Sequence, residues 1–131
     1  MNSYDVTGSF ADLLTHATRL VKSPGDSGTL VIGVVDALPF VQFAGGAGGI
    51  QWDFPLVTDD QRARETAFRA FLKQRGLTAS ESEGDNGEVF LDVDLAGDAG
   101  RVAQIARDAL TEIWAVDPSA RLTFMGESVG D

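Results

Sequence analysis

Several residues in this chain have types or spacings that could do chemistry. His16 is the only histidine. General acid–base catalysis and most zinc sites lean on histidine, but a lone one beside Thr15, within a turn of Asp12, carries no site geometry. It reads as an ordinary surface or partly buried residue. Asp92 and Asp94 fall on one face of an alternating segment, with Asp98 close behind. Two carboxylates on one face could bind a hard cation or act as acid and base. No Asp-x-Asp-x-Asp-Gly loop with a distal Glu accompanies them, and alternation alone puts charge on a solvated outer sheet face. Gly45-Gly46-Ala47-Gly48-Gly49 superficially matches a phosphate-binding loop. Such a loop joins a strand to a helix, so that the helix N-terminus meets the phosphate. Here two strand-like segments flank it and no Lys follows, so it reads as a hairpin turn. Ser9, Ser27, Ser80, Ser82 and Ser119 lie outside any nucleophile-elbow motif. Cysteine is absent, which excludes disulfides, thiol catalysis and thiolate metal sites. The expectation is a protein with no catalytic residues, no metal and no cofactor.

Gln42, Gln51 and Asp53 are polar residues in the middle of strand-like segments, beside Phe40, Phe43, Trp52 and Phe54. A sheet face that mixes aromatics with amides can hold a peptide. An ordinary sheet with one dry and one wet face has the same pattern. The candidate partner-binding set is Phe40, Gln42, Phe43, Gln51, Trp52 and Asp53. Which of its aromatics is exposed depends on which face the helices cover.

The elements that must position these residues follow from periodicity. Phe10, Leu13, Leu14, Ala17, Leu20 and Val21 recur at helical spacing behind a Ser9 cap, and Ser23-Pro24-Gly25 ends that helix. Leu30–Val35 is apolar on both faces, as a central strand is. Phe40–Ala44 and Ile50–Phe54 form a hairpin across the glycines. Thr58 and Gln61 have capping-box spacing before an apolar stripe that includes Phe68, Phe71 and Leu72. A short strand is placed in Leu77–Ser82. Val89, Leu91, Val93 and Leu95 then alternate with Asp92 and Asp94. Asp98 caps a last helix through Val102, Ile105, Ala106, Ala109, Leu110, Ile113 and Trp114, which Asp117-Pro118 ends. The order is α-β-β-β-α-β-β-α, an α+β fold in which three helices pack an antiparallel sheet of four to five strands. Residues 1–131 read as one domain. Residues 119–131, with Leu122, Phe124 and Val129, read as an extra strand or a flexible tail.

The chain has 131 residues and carries 10 basic against 20 acidic residues, a net charge of −10. A phosphate backbone repels such a chain, as does an anionic membrane, so neither nucleic acid nor membrane is an expected partner. A basic partner suits it. The first twelve residues lack the basic run and apolar stretch of a signal peptide, and the expected compartment is the cytoplasm.

The element order resembles that of the type III secretion chaperones and their YbjN-like relatives, the TY-Chap domains. Pro39-Phe40-Val41-Gln42-Phe43 is similar to the aromatic-Val-Gln-Phe strand of YbjN-like proteins. The resemblance implies a peptide- or protein-binding module, often a homodimer, without catalytic residues. The glycine turn and the segment after Pro118 depart from the secretion chaperones. Two functions from different classes follow. One is a chaperone-like module that holds a polypeptide on its sheet or in a groove. The other is an acidic neutraliser, such as an immunity protein, that blocks a basic toxin.

Overall fold

The computed structural model describes residues 2–128. Its strands are β1 (Asn2–Gly8), β2 (Gly28–Val34), β3 (Phe40–Gly46), β4 (Gly49–Pro55), β5 (Ser80–Glu83), β6 (Val89–Leu95) and β7 (Leu122–Ser128). They form one open sheet in the order β1-β7-β2-β3-β4-β6-β5, and every neighbouring pair is antiparallel. The helices are α1 (Leu13–Val21, entered through a 3-10 turn at Phe10–Asp12), α2 (Asp59–Ala63), α3 (Glu65–Gln74) and α4 (Ala99–Asp108, extended by a π turn at Ala109–Ile113).

The α+β class and the antiparallel sheet match the sequence reading, but the counts do not: the described residues form seven strands and four helices. β1, absent from the sequence reading, pairs with β7, the extra strand that reading allowed in residues 119–131. β7 takes the segment that sequence left as a strand or a tail, and inserts between β1 and β2. Val129 lies outside the described residues. The inward positions of β7 are Leu122, Phe124 and Gly126, so glycine interrupts its apolar alternation. Tyr4 of β1 stands opposite Gly126, and its ring fills the space that a Cβ there would need. β1 is therefore fixed by one aromatic ring rather than by an apolar repeat. The fourth helix arises because the single helix expected behind the Thr58 cap breaks at Arg64, where the chain turns. The Arg64 guanidinium donates to the Ile113 carbonyl at 3.2 Å and so satisfies an orphan acceptor of the π turn.

The caps stand where the sequence puts them. The Ser9 hydroxyl and Asp12 carboxylate form a reciprocal box, as do Thr58 and Gln61. Asp98 accepts from the Gly100 and Arg101 amides at 2.9 and 3.4 Å.

One side of the sheet carries the core. Leu30, Ile32, Val41, Phe43, Ile50, Trp52, Phe54, Leu91, Val93, Leu122 and Phe124 are all buried there against the helices. Trp52 meets Phe68 and Phe71 edge-on at 5.1 and 5.6 Å between centroids, and Phe54 stacks on Phe68 at 4.3 Å. Arg75 ties α3 to α4: it lies 3.6 Å over Phe71 and bonds Asp108 and Glu112 at 3.2 and 2.8 Å. No helix among the described residues is long and apolar enough to cross a membrane.

The glycine run is the hairpin turn between β3 and β4, with Gly46 paired to Gly49. Its composition has a packing cause. A Cβ on Gly46 would enter the Gly25 carbonyl oxygen, and Gly45 has a φ of +136°, open only to glycine. Gly46→Ala must therefore push two backbones apart, and is expected to destabilise by about 1–3 kcal/mol. Leu110, fully buried, is expected to cost roughly 2–5 kcal/mol as Leu110→Ala. Denaturant midpoints check both; an unchanged midpoint for Leu110→Ala contradicts the assigned helix face.

Candidate functional site

The other side of the sheet carries no helix. Strand register draws its side chains into lines that cross all the strands. One line runs Asp5, Met125, Val31, Gln42, Asp53, Asp92, Ser80. The next runs Ser3, Glu127, Thr29, Ala44, Gln51, Asp94. With strands about 4.8 Å apart, the face is about 29 Å wide. Met125 is 45% exposed on it, and Val31, Phe40 and Phe90 are half-buried.

This geometry divides the candidate binding set. Phe40, Gln42, Gln51 and Asp53 lie on the bare face, whereas Phe43 and Trp52 point the other way and are only 2% and 1% exposed. Nothing that binds the folded sheet reaches those two rings, so they are core residues and leave the set. Asp5, Thr29, Val31, Met125 and Glu127 join the same face. Asp5, Met125 and Glu127 escape the sequence reading because it has no β1 and keeps residues 119–131 open between strand and tail; Thr29 and Val31 escape it because β2 reads as apolar on both faces.

Asp92 corrects the reading of a solvated carboxylate. It is only 9% exposed, because β4 and β5 flank it and the Leu77–Ala79 approach to β5 runs beside it. Its register partner is Asp53, so the two carboxyl groups stand side by side on neighbouring strands. Burial first, then the neighbouring Asp92 carboxyl, pushes the Asp53 pKa up to about 7. The pair therefore holds a proton where a free carboxyl would have lost it.

Charge is segregated between the helical segments and the rest of the chain. Residues 10–22, 59–75 and 98–113 contain nine of the ten basic residues and seven acidic ones. Outside them stand thirteen acidic residues and Arg121 alone. Arg121 sits at one end of the bare face, bonded to Thr7 at 3.1 Å. Besides the hollow that Asp92 and Asp94 share with residues 76–80, two further shallow hollows mark the face. Ser3, Asp5, Thr29, Val31, Met125 and Glu127 line one, and Asp26, Ala44, Gln51 and Asp94 line the other, beside the glycine turn.

His16 belongs to neither hollow. It is buried between Tyr4 and Phe124, with Nδ1 3.0 Å from the Tyr4 hydroxyl. Burial and the nearby Arg19 hold its pKa below the ordinary histidine value, against a smaller opposing effect of Asp12. Among the described residues no group of three or more histidine or carboxylate side chains is arranged to hold a metal ion. The chain matches no family model, no curated protein and no solved structure.

The carboxyl pair gives a pH signature. The folded chain keeps the Asp53 proton up to about pH 7, while the unfolded chain releases it near the ordinary 3.8. The folded state binds more protons between those values, so the pair's contribution to stability falls as pH rises through that window. Asp53→Asn removes the like-charge cost and keeps the shape. It is expected to stabilise by about 1–2 kcal/mol near pH 8, screening at a half-buried group reducing the full effect, and to be nearly neutral near pH 4. Urea titrations of both proteins across this range check it; a pH-independent difference contradicts the shared proton.

Proposed function

We propose that this protein is a non-catalytic binding module that holds a polypeptide on the bare face of its sheet. The observation that carries the reading is the one-sided architecture. All the helices cover one face, while the other offers half-buried Phe40, Val31 and Phe90 and exposed Met125 among amides and carboxylates. At about 29 Å across by about 20 Å along the strands, the face measures roughly 600 Å². That approaches the ~800 Å² each partner buries in a standard protein interface. The two hollows are shallow and open, unlike the enclosed pockets that take small molecules. The similarity of Pro39–Phe43 to the YbjN-like strand agrees with a polypeptide partner, since that segment leads into β3 and places Phe40 and Gln42 on this face.

The charge segregation favours a second reading, a neutraliser that covers a basic toxin. Binding that weakens steeply with salt marks that reading, and salt-insensitive binding through aromatic anchors marks the first.

A photo-crosslinking residue at Gln51, on the bare face, is expected to trap a polypeptide in the source cell. The same residue at Leu14 or Lys73, on the helical layer, is expected to trap none. Phe40→Ala is then expected to weaken the trapped partner by more than ~1 kcal/mol. Adducts from the helical positions but not from Gln51 contradict the reading.

A further inference from the structure

The polypeptide that fits this face can be described more closely from the placement of charge, on the basis of the binding reading above. We infer that the partner is cationic and presents two basic groups about 19 Å apart, one for each hollow, with an apolar group between them.

The bare face is not uniformly acidic. Asp5 and Glu127 line the hollow over β1 and β7. Asp94 on β6 lines the other, with Asp26 from the turn before β2. Between Glu127 and Asp94 the crossing line holds only Thr29, Ala44 and Gln51, all uncharged. β7 and β6 are four strand steps apart in the sheet, which at about 4.8 Å per step sets the charges about 19 Å apart. Val31 and Met125 border that neutral floor, with Met125 45% exposed. An apolar side chain seated there covers surface that otherwise faces water.

Arg19 shares a neighbouring hollow with Glu127 but lines neither of these two. Neither lining contains a Lys or Arg. Nine of the ten basic residues lie in the helical segments, where Arg62, Arg69 and Arg75 have acidic partners of their own. Asp94 and Glu127 are exposed and enter no ion pair among the described residues. Complementary charge steers association and fixes register. An extended partner spans 19 Å in about six residues. The same spacing can be met by two side chains on a folded basic surface.

The probe is a fluorescent peptide with two Arg-Arg pairs separated by four residues that include a central Leu, which sets the pair centres about six extended residues apart, read by anisotropy against the full chain. It is expected to bind about tenfold more tightly than a peptide of the same composition with the pairs adjacent, and about tenfold more weakly when salt rises from about 0.05 to about 0.3 M. Asp94→Lys and Glu127→Lys are each expected to reduce affinity several-fold. Asp60→Lys, which makes the same change of net charge on the helical layer, is expected to leave it unchanged. Circular dichroism confirms that each variant is folded. Equal binding of spaced and clustered peptides, or an equal effect of Asp60→Lys, overturns the inference. If no cationic peptide binds but Gln51 still traps a polypeptide, the inference fails and the binding face stands. If Gln51 traps nothing as well, both fail.

Discussion

The aromatic seam between sheet and helices determines everything else in this molecule. Trp52 and Phe54 are two residues apart on β4, so both point to one side. Phe68 and Phe71 of α3 and Trp114 after α4 close over them, with ring centroids 4.3 to 6.1 Å apart. Rings of this size dominate core energetics. Once they are buried together, strand alternation leaves no freedom. Gln51 and Asp53 must face away, and register carries the same choice to Gln42 on β3 and Asp92 on β6. The bare face is the obligatory reverse of the aromatic one.

What that reverse side carries is less easily explained by folding alone. Asp53 and Asp92 are like-charged register partners, an arrangement that costs stability on neighbouring strands. The shared proton lowers that cost without abolishing it. Perturbed carboxyls cluster at functional surfaces more than elsewhere, and this pair lies between the two hollows and the β5 edge. The helical segments are nearly balanced, nine basic against seven acidic residues, and Arg62–Asp59, Arg69–Glu65 and the Arg75 bridge pair part of that charge. The net negative charge of the chain is thus carried outside its helical segments.

The sequence disclosed the half of the fold that is built from regular apolar repeats. The β3–β4 hairpin, β6 and the three caps at Ser9, Thr58 and Asp98 stand where periodicity and capping rules put them. It concealed β1, and kept residues 119–131 open between strand and tail, because no regular apolar repeat marks either strand and their inward faces meet through one complementary contact. The Tyr4 ring occupies the room left by Gly126, 122 residues away, and neither residue signals a strand alone. The helix break at Arg64 was hidden for a similar reason, since the carbonyl it satisfies belongs to Ile113. At the site, the types of Gln42, Gln51 and Asp53 were informative, but the accessible aromatic was not. Phe40 and Phe43 differ by three positions, and an odd offset on a strand means opposite faces. The burial of Asp92 was also out of reach, because it depends on the flanking of β6 by β4 and β5.

Methyl-resolved NMR of the chain, titrated with the polypeptide recovered through Gln51, tests the central claim most directly. Val31 and Met125 report on the bare face, while Leu14 and Val57, also partly exposed, report on surface away from it. The account predicts that the Val31 and Met125 methyl signals move on binding and that those of Leu14 and Val57 stay in place. Movement of Leu14 and Val57, with Val31 and Met125 unchanged, contradicts it.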